Sequence, residues 1–317
     1  MRADYAINRD RFFWTIGFQS ICANFFLGGF GPAQPLLQED QGTSLTLAGL
    51  HGTALGISFI LSGVTNPILV HKFGRIKTGW IGMLSLIIGV VILAVAPSIF
   101  ITLPAAIITG YGISLIFNNF VTALNSHYGD LAPIAITQAN AVGSTGYILG
   151  TFMVGAIANY YRDYWRLSLL TVLPLSIIAY LVYEKKKTPL HVPDIDGRQQ
   201  GKLSRKFWIA WLGFVACISS EFAISFWAAA LIIDRTNASP AISTLVIVAL
   251  GTGMAVGRWY WSDLLKKFAL DLQLQFVILI QLIGFIILWT SHNIVLSFLG
   301  LFITGLGISD RKSTRLN

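Results

Sequence analysis

The stretch PILVHKFGRIK, residues 67 to 77, decides the fold. It holds every charged residue between positions 47 and 96, and it separates two apolar blocks at 47 to 70 and 79 to 96. A helix needs roughly 20 apolar residues to cross the ~30 Å hydrocarbon core of a bilayer, and each block is about that long. Neither block shows the two-residue alternation of a half-buried strand or confines its apolar residues to one helical stripe. Joined by so short a turn, the two must cross the same apolar layer in opposite directions, leaving Lys72, Arg75 and Lys77 together on one side. Only a helix satisfies its own backbone N–H and C=O groups within one such crossing.

The pattern recurs outward in both directions. Further apolar blocks lie near 12 to 34, 99 to 124, 134 to 158 and 166 to 183, then near 207 to 233, 240 to 261, 272 to 291 and, incompletely, 294 to 309. Of the 317 residues 55% are hydrophobic and 11% charged, whereas soluble domains carry about a quarter charged residues. The fold class is therefore an all-α membrane protein. The run after Arg2, Arg9 and Arg11 reaches Gly31 without a small-residue cleavage pattern, so it reads as a retained helix and not a signal peptide. Cys22 and Cys217 fall inside apolar blocks, at a spacing that supports neither a disulfide framework nor a metal site. No cofactor is expected.

Lys and Arg number 22 against 14 Asp and Glu, for a formal charge of +8. In a soluble protein this would suggest nucleic-acid binding; here the basic residues sit between membrane blocks. If the N-terminus is cytoplasmic, one side receives Arg2, Arg9, Arg11, Lys72, Arg75, Lys77, the basic residues between 185 and 206, Arg258, Lys266 and Lys267. The other side receives only Arg162, Arg166 and Arg235. Cytoplasmic loops concentrate Lys and Arg, so a multi-pass protein of the cytoplasmic membrane with its N-terminus inside is expected, with the lipid bilayer as partner and nucleic acid excluded. The connection from His127 to Pro133 departs from the rule, since it should be cytoplasmic yet carries no basic residue.

The polar stretch Glu184 to Lys206, with Pro189, Pro193 and Gly197, reads as a linker between two helical sets. The expected division is a six-helix bundle over 1 to 183, a basic cytoplasmic linker over 184 to 206, and an incomplete second bundle over 207 to 309. A shift of 195 residues places Ala54, Leu55 and Gly56 on Ala249, Leu250 and Gly251, and Leu69, Lys72 and Phe73 on Leu264, Lys267 and Phe268. The two basic turns fall on the same side, so the repeat is parallel.

Six helices, a basic linker and a parallel second set resemble the major facilitator superfamily (MFS). The opening stretch is similar to that family's G-x-L-x-D-R-x-G-R-R signature: Leu69, Lys72, Gly74 and Arg75 match, while Pro67 replaces the first Gly and His71 the Asp. Arg258 with the segment through Lys267 looks like the degenerate second copy. The fourth helix has Ala106 where the family often places an Arg, which argues against the proton-driven drug exporters that rely on it. The resemblance implies twelve helices, of which six plus about four are present. Residues 310 to 317 read as non-native sequence appended to a fragment, the alternative being a genuine C-terminus on a ten-helix protein. It implies a secondary active transporter, not an enzyme, that takes a small-molecule substrate and protons, and works as a monomer. It also implies a gating role for Leu69, Lys72, Gly74, Arg75, Arg258 and Lys267.

Ionisable residues inside a membrane are costly and mark function by default. Glu221 lies midway along the seventh block, with Phe214, Ile218 and Ser225 on the same helical face. A carboxyl there is expensive as an anion and inexpensive as an acid, which suits it to carry a proton between sides. The fourth helix places Tyr111, Ser114, Asn118, Thr122 and Asn125 along one stripe, and the fifth places Thr137, Asn140, Ser144 and Thr151 likewise. The resemblance implies that Gln19, Asn118 and Glu221 face a central passage. Substrate or proton contact is expected of Glu221, Gln19, Asn118, Thr122, Asn140, Ser144 and Ser225; interhelical hydrogen bonding is the bland alternative for each. Gly49, Gly52, Gly56 and Gly63, Gly146 and Gly150, and Gly253 and Gly257 permit close helix approach, either static or as surfaces across which the two halves rock.

Other classes remain open. A uniporter results if Glu221 only holds substrate, and a non-transporting receptor or sensor if nothing crosses. An intramembrane enzyme would use Gly-Ile-Ser at 56 to 58 or 112 to 114, but such a serine needs a His at matching depth. His51, His71, His127, His191 and His292 all lie near or beyond block ends.

Overall fold

A computed structural model describes residues 7–184, 204–265 and 270–309. Residues 185 to 203 of the expected linker over 184 to 206, and the tail from 310 to 317, lie outside the described residues. Among those described, the chain is helical throughout: α1 Arg11–Phe30, α2 Gln34–Gln41, α3 Leu45–Phe73, α4 Arg75–Val95, α5 Ile99–Tyr128, α6 Ala132–Tyr160, α7 Val172–Glu184, α8 Arg205–Thr236, α9 Pro240–Val246, α10 Val248–Leu265, α11 Leu270–Thr290 and α12 Ile294–Ile308. Seven helical stretches are long and apolar enough to cross a membrane, and one of them, Ile99–Tyr160, is long enough for two crossings. It is broken at Gly129, whose φ of +52° is open to glycine at little cost. The turn from α3 to α4 depends in the same way on Gly74, at φ +78°.

The repeat is written into the helix starts. Leu45, Arg75 and Ile99 open α3, α4 and α5, and Pro240, Leu270 and Ile294 open α9, α11 and α12, each 195 residues further on. The caps repeat as well. Ser44 and Ser239 each accept an amide hydrogen in the first turn, from Leu47 and Ile242, and Ser98 corresponds to Asn293. In the first set α3 and α4 pack on α5; in the second α10 and α11 pack on α12. The seam between α1 and α6 is the most extensive in the first set, and α7 packs beside it.

Two crossings depart from a simple span. The sixth begins with a 3₁₀ segment, Arg162–Thr171, before α7. Asp40 fixes that segment, accepting from Trp165 Nε1 at 2.7 Å and from Arg166 Nε at 3.0 Å, while Arg166 Nη1 donates to the Ala96 carbonyl. The eighth is divided at Ile247 into α9 and α10.

The chain start covers the connection that lacked basic residues. Arg9 Nε donates to Gln138 at 2.9 Å, Tyr128 donates to the Asn8 carbonyl, and Asp10 Oδ2 meets His127 Nε2 at 2.7 Å. Partial burial raises the Asp10 pKa, but the Phe13 amide, His127 and Tyr128 together outweigh it and hold the carboxyl below its usual range. A depressed acid contributes stability that is complete above its unfolded value and lost as pH falls through the folded one. Hydrogen exchange of residues 8 to 13, corrected for intrinsic rate, is therefore expected to stay constant down to about pH 4 and to accelerate below it. Asp10→Asn should accelerate it at neutral pH. Exchange in Asp10→Asn equal to that of the native protein at neutral pH would refute the tie.

Candidate functional site

Glu221 sits in the middle of α8, within electrostatic reach of Arg258 on α10 and of Tyr147 on α6. Arg258 Nη1 in turn donates to Ser144 Oγ and, at 3.3 Å, to the Asn140 carbonyl oxygen, both on α6. Ser225, one turn along α8, is buried beside the Tyr147 phenol. Three helices from the two sets thus bring an acid, a guanidinium, hydroxyls and a phenol to one place. Tyr147 Oη is buried, and no hydrogen bond of acceptable geometry reaches it, even from Ser225.

Glycines create the space for this group. A Cβ on Gly251 of α10 would stand 2.7 Å from Tyr147 Cδ1, and one on Gly28 of α1 would strike the Tyr147 carbonyl. Tyr147 is therefore gripped on both sides. Although it belongs to the first helical set, its neighbours Ile224, Ala228, Leu250 and Met254 form the apolar core of the second.

The structure assembles part of the expected constellation and disperses the rest. Glu221, Ser225, Asn140 and Ser144 come together. Arg258 joins them, which corrects its reading as a turn residue: α10 continues to Leu265, so Arg258 lies within the helix and reaches α6. Gln19 is elsewhere, buried against Gly79 of α4 in a small cleft with Arg75 and Asn119. Asn118 is exposed on the seam between α3 and α5, 3.4 Å from Ser62 Oγ, and Thr122 donates to its carbonyl. Its neighbour Asn119, which the sequence did not single out, is the buried one and donates to Asn66 Oδ1 at 3.0 Å. Lys72 lies over the Phe73 ring, Leu69 is half-buried, and Arg75 Nε is buried without a partner. Lys267 and the side chain of Phe214 lie outside the described residues.

His51, the seventh residue of α3, is fully buried and bonded at 2.8 Å to both the Ala48 carbonyl and Thr102 Oγ1. Ser58 donates to the Leu55 carbonyl, and Ser114 accepts weakly from Asn118. Neither serine of the two Gly-Ile-Ser triplets is hydrogen-bonded to His51.

The glycine faces separate into two kinds. Gly146 and Gly150 meet the α1 backbone, and Gly253 meets α12, so these join helices of one set. Gly49 and Gly52 instead receive Trp227 and Phe226 of α8 from the other set, as Gly155 receives Leu245. Gly56 and Gly63 meet nothing within 4 Å. The two sets consequently touch where α1 ends, with Phe59 also edge-on to Phe222. Toward the chain start, Ile60, Val64 and Ile68 of α3 and Phe207, Trp208, Ile209, Trp211 and Leu212 of α8 are exposed. α6 and α10 stay together at the levels of both Tyr147 and Arg258.

The sequence matches the family model described as Major Facilitator Superfamily over residues 16–309. Among solved structures, a bacterial homologue of the human lysosomal transporter Spinster, in an inward-facing and occupied conformation, superposes with a TM-score of 0.67 at 16% identity, over 96% of this chain and 73% of that one. The E. coli fucose:proton symporter FucP superposes with 0.62 at 17% identity, over 95% and 83% of the two chains. The nucleoside transporter NupG gives 0.63 at 15% identity, over 96% and 80%. At these identities the likeness establishes the fold. No curated protein sequence matches the chain.

Proposed function

The chain belongs to the Major Facilitator Superfamily, and from that premise we propose that it moves a small polar solute across the cytoplasmic membrane by alternating access, coupled to protons through Glu221. The reading is supported by Glu221 of α8 lying within electrostatic reach of Arg258, which itself bonds to α6. An isolated charge at this depth would be severely penalised, so the acid and guanidinium are tolerable as a pair. A proton arriving on Glu221 cancels that pairing and changes what Arg258 is held by. Arg258 also binds α6, so the proton acts on a contact between the two helical sets. The passage would run between them, closed at the end where Phe226 and Trp227 fill the notches at Gly52 and Gly49. That arrangement corresponds to opening toward the cytoplasm if the N-terminus is inside.

A passage with one neutralised charge pair and several hydroxyls suits uncharged or zwitterionic polar solutes. The named activities of FucP and NupG make sugars and nucleosides the first to screen in vesicles containing the protein. With the solute that gives the largest uptake, a pH gradient of one unit should drive roughly tenfold accumulation at one proton per solute. Glu221→Gln is expected to reduce this to equilibration while exchange across the membrane persists. Undiminished uphill uptake by the variant would refute coupling through Glu221.

A further inference from the structure

We propose that Tyr147 is the positioning residue that receives Glu221 once that carboxyl carries its proton, holding the junction of α6, α8 and α10 while Arg258 is released. This rests on the coupling role of Glu221 and adds the partner of its protonated form. A neutral carboxyl needs a donor for its carbonyl oxygen and an acceptor for its hydroxyl, and a phenol supplies both. Tyr147 Oη is buried and unsatisfied in the present arrangement, and Tyr147 shares an apolar cluster with Ile224, one turn along α8 from Glu221. Buried polar atoms are paired with few exceptions, and each exception requires a cause. The cause assigned here is that the partner arrives in another state of the cycle.

The ionisable groups of the described residues packed around this part of α8 are few. α10 contributes Arg258 and α6 contributes Tyr147 as ionisable groups; on α8 itself Cys217 lies one turn away. From α11, Gln281 is engaged with Ser220. The segments α9 and α12 contain no ionisable side chain, and His51 of α3 is turned toward Thr102. The Gly251 notch fixes the ring, so the hydroxyl is held in place while the carboxyl moves.

Infrared difference spectra of the whole protein between pH 8 and pH 5 provide a test that needs no substrate. The acid C=O band of Glu221 is assigned by its disappearance in Glu221→Gln. In Tyr147→Phe this band is expected at higher wavenumber, because its carbonyl has lost a hydrogen-bond donor. Gly63→Ala, at a position that meets nothing within 4 Å, should leave the band frequency in place. Because the phenol is unsatisfied at neutral pH, Tyr147→Phe should melt no lower than the native protein. A band unchanged in Tyr147→Phe would overturn the role of Tyr147 and leave Glu221 coupling intact, as would a markedly lower melting temperature. Absence of any band that Glu221→Gln removes would instead defeat the coupling reading itself.

Discussion

Arg258→Met is expected to abolish proton-driven uptake and to lower the melting temperature by on the order of 10 °C. Hydrogen bonds to a charged group are worth ~1.5–3 kcal/mol each; Arg258 makes two to α6 and lies within electrostatic reach of Glu221, and each kcal/mol corresponds to roughly 2–4 °C in a chain of this size class. Met retains most of the side-chain volume, so the loss isolates the charge and its bonds to Ser144 and the Asn140 carbonyl. Glu221→Gln on its own leaves a neutral amide facing a cation that α6 still holds. The double variant Glu221→Gln with Arg258→Met should therefore recover much of the stability lost by Arg258→Met alone, and the double-mutant cycle measures the coupling directly. Melting of Arg258→Met at the native temperature would mean that the two groups do not depend on one another. Thermal unfolding in one detergent, read by tryptophan fluorescence, is sufficient for all four proteins.

The crossings were legible because hydrocarbon thickness fixes the length of an apolar run, and the basic residues gather in alternate connections. Departures occurred where side chains, not hydrophobicity, decide the backbone. Nothing in the apolar character of residues 166 to 183 announces that Asp40, some 125 residues earlier, binds Trp165 and imposes a 3₁₀ segment. Glu221 stands out in the sequence because a mid-span carboxyl needs compensation. Its compensation was not legible, because Arg258 looks like any basic residue near a cytoplasmic end until α6 is brought against it. Tyr147 left no signal at all: a tyrosine in an apolar run resembles core, and the notch at Gly251 is more than one hundred positions away. The choice between Asn118 and Asn119 exposes a finer limit. Adjacent helical residues point ~100° apart, so a stripe read by eye can be displaced by one position, and here the buried member is Asn119.

Gly150→Val is expected to prevent accumulation of the folded protein. α6 lies so close to α1 that a Cβ at position 150 would collide with the Phe25 carbonyl, and one at 146 with the Ile21 carbonyl. Both obstacles are helix backbone, already bonded within α1, so neither can rotate away as a side chain would. Helices that meet through small residues gain from backbone proximity itself, here including the 2.8 Å bond from Thr151 Oγ1 to the Gly28 carbonyl. Forcing them apart also opens the core around Phe25, Phe26 and Val154; overpacking of this kind costs ~1–3 kcal/mol and more where nothing can yield. Gly63→Ala is the matched control. That position meets nothing within 4 Å, and Ala is favoured over Gly in a helix by ~0.8–1.0 kcal/mol, so its melting temperature should equal or exceed the native value. Monodispersity on size exclusion and the melting midpoint decide the matter, and a normally folding Gly150→Val would show that the α1–α6 seam is loose. Because that seam joins helices of one set, its glycines act on stability, whereas Gly49 and Gly251 stand between the sets. Substitution at those two positions should therefore slow transport more than it lowers the melting point, which separates the fixed contacts of the bundle from those that must open.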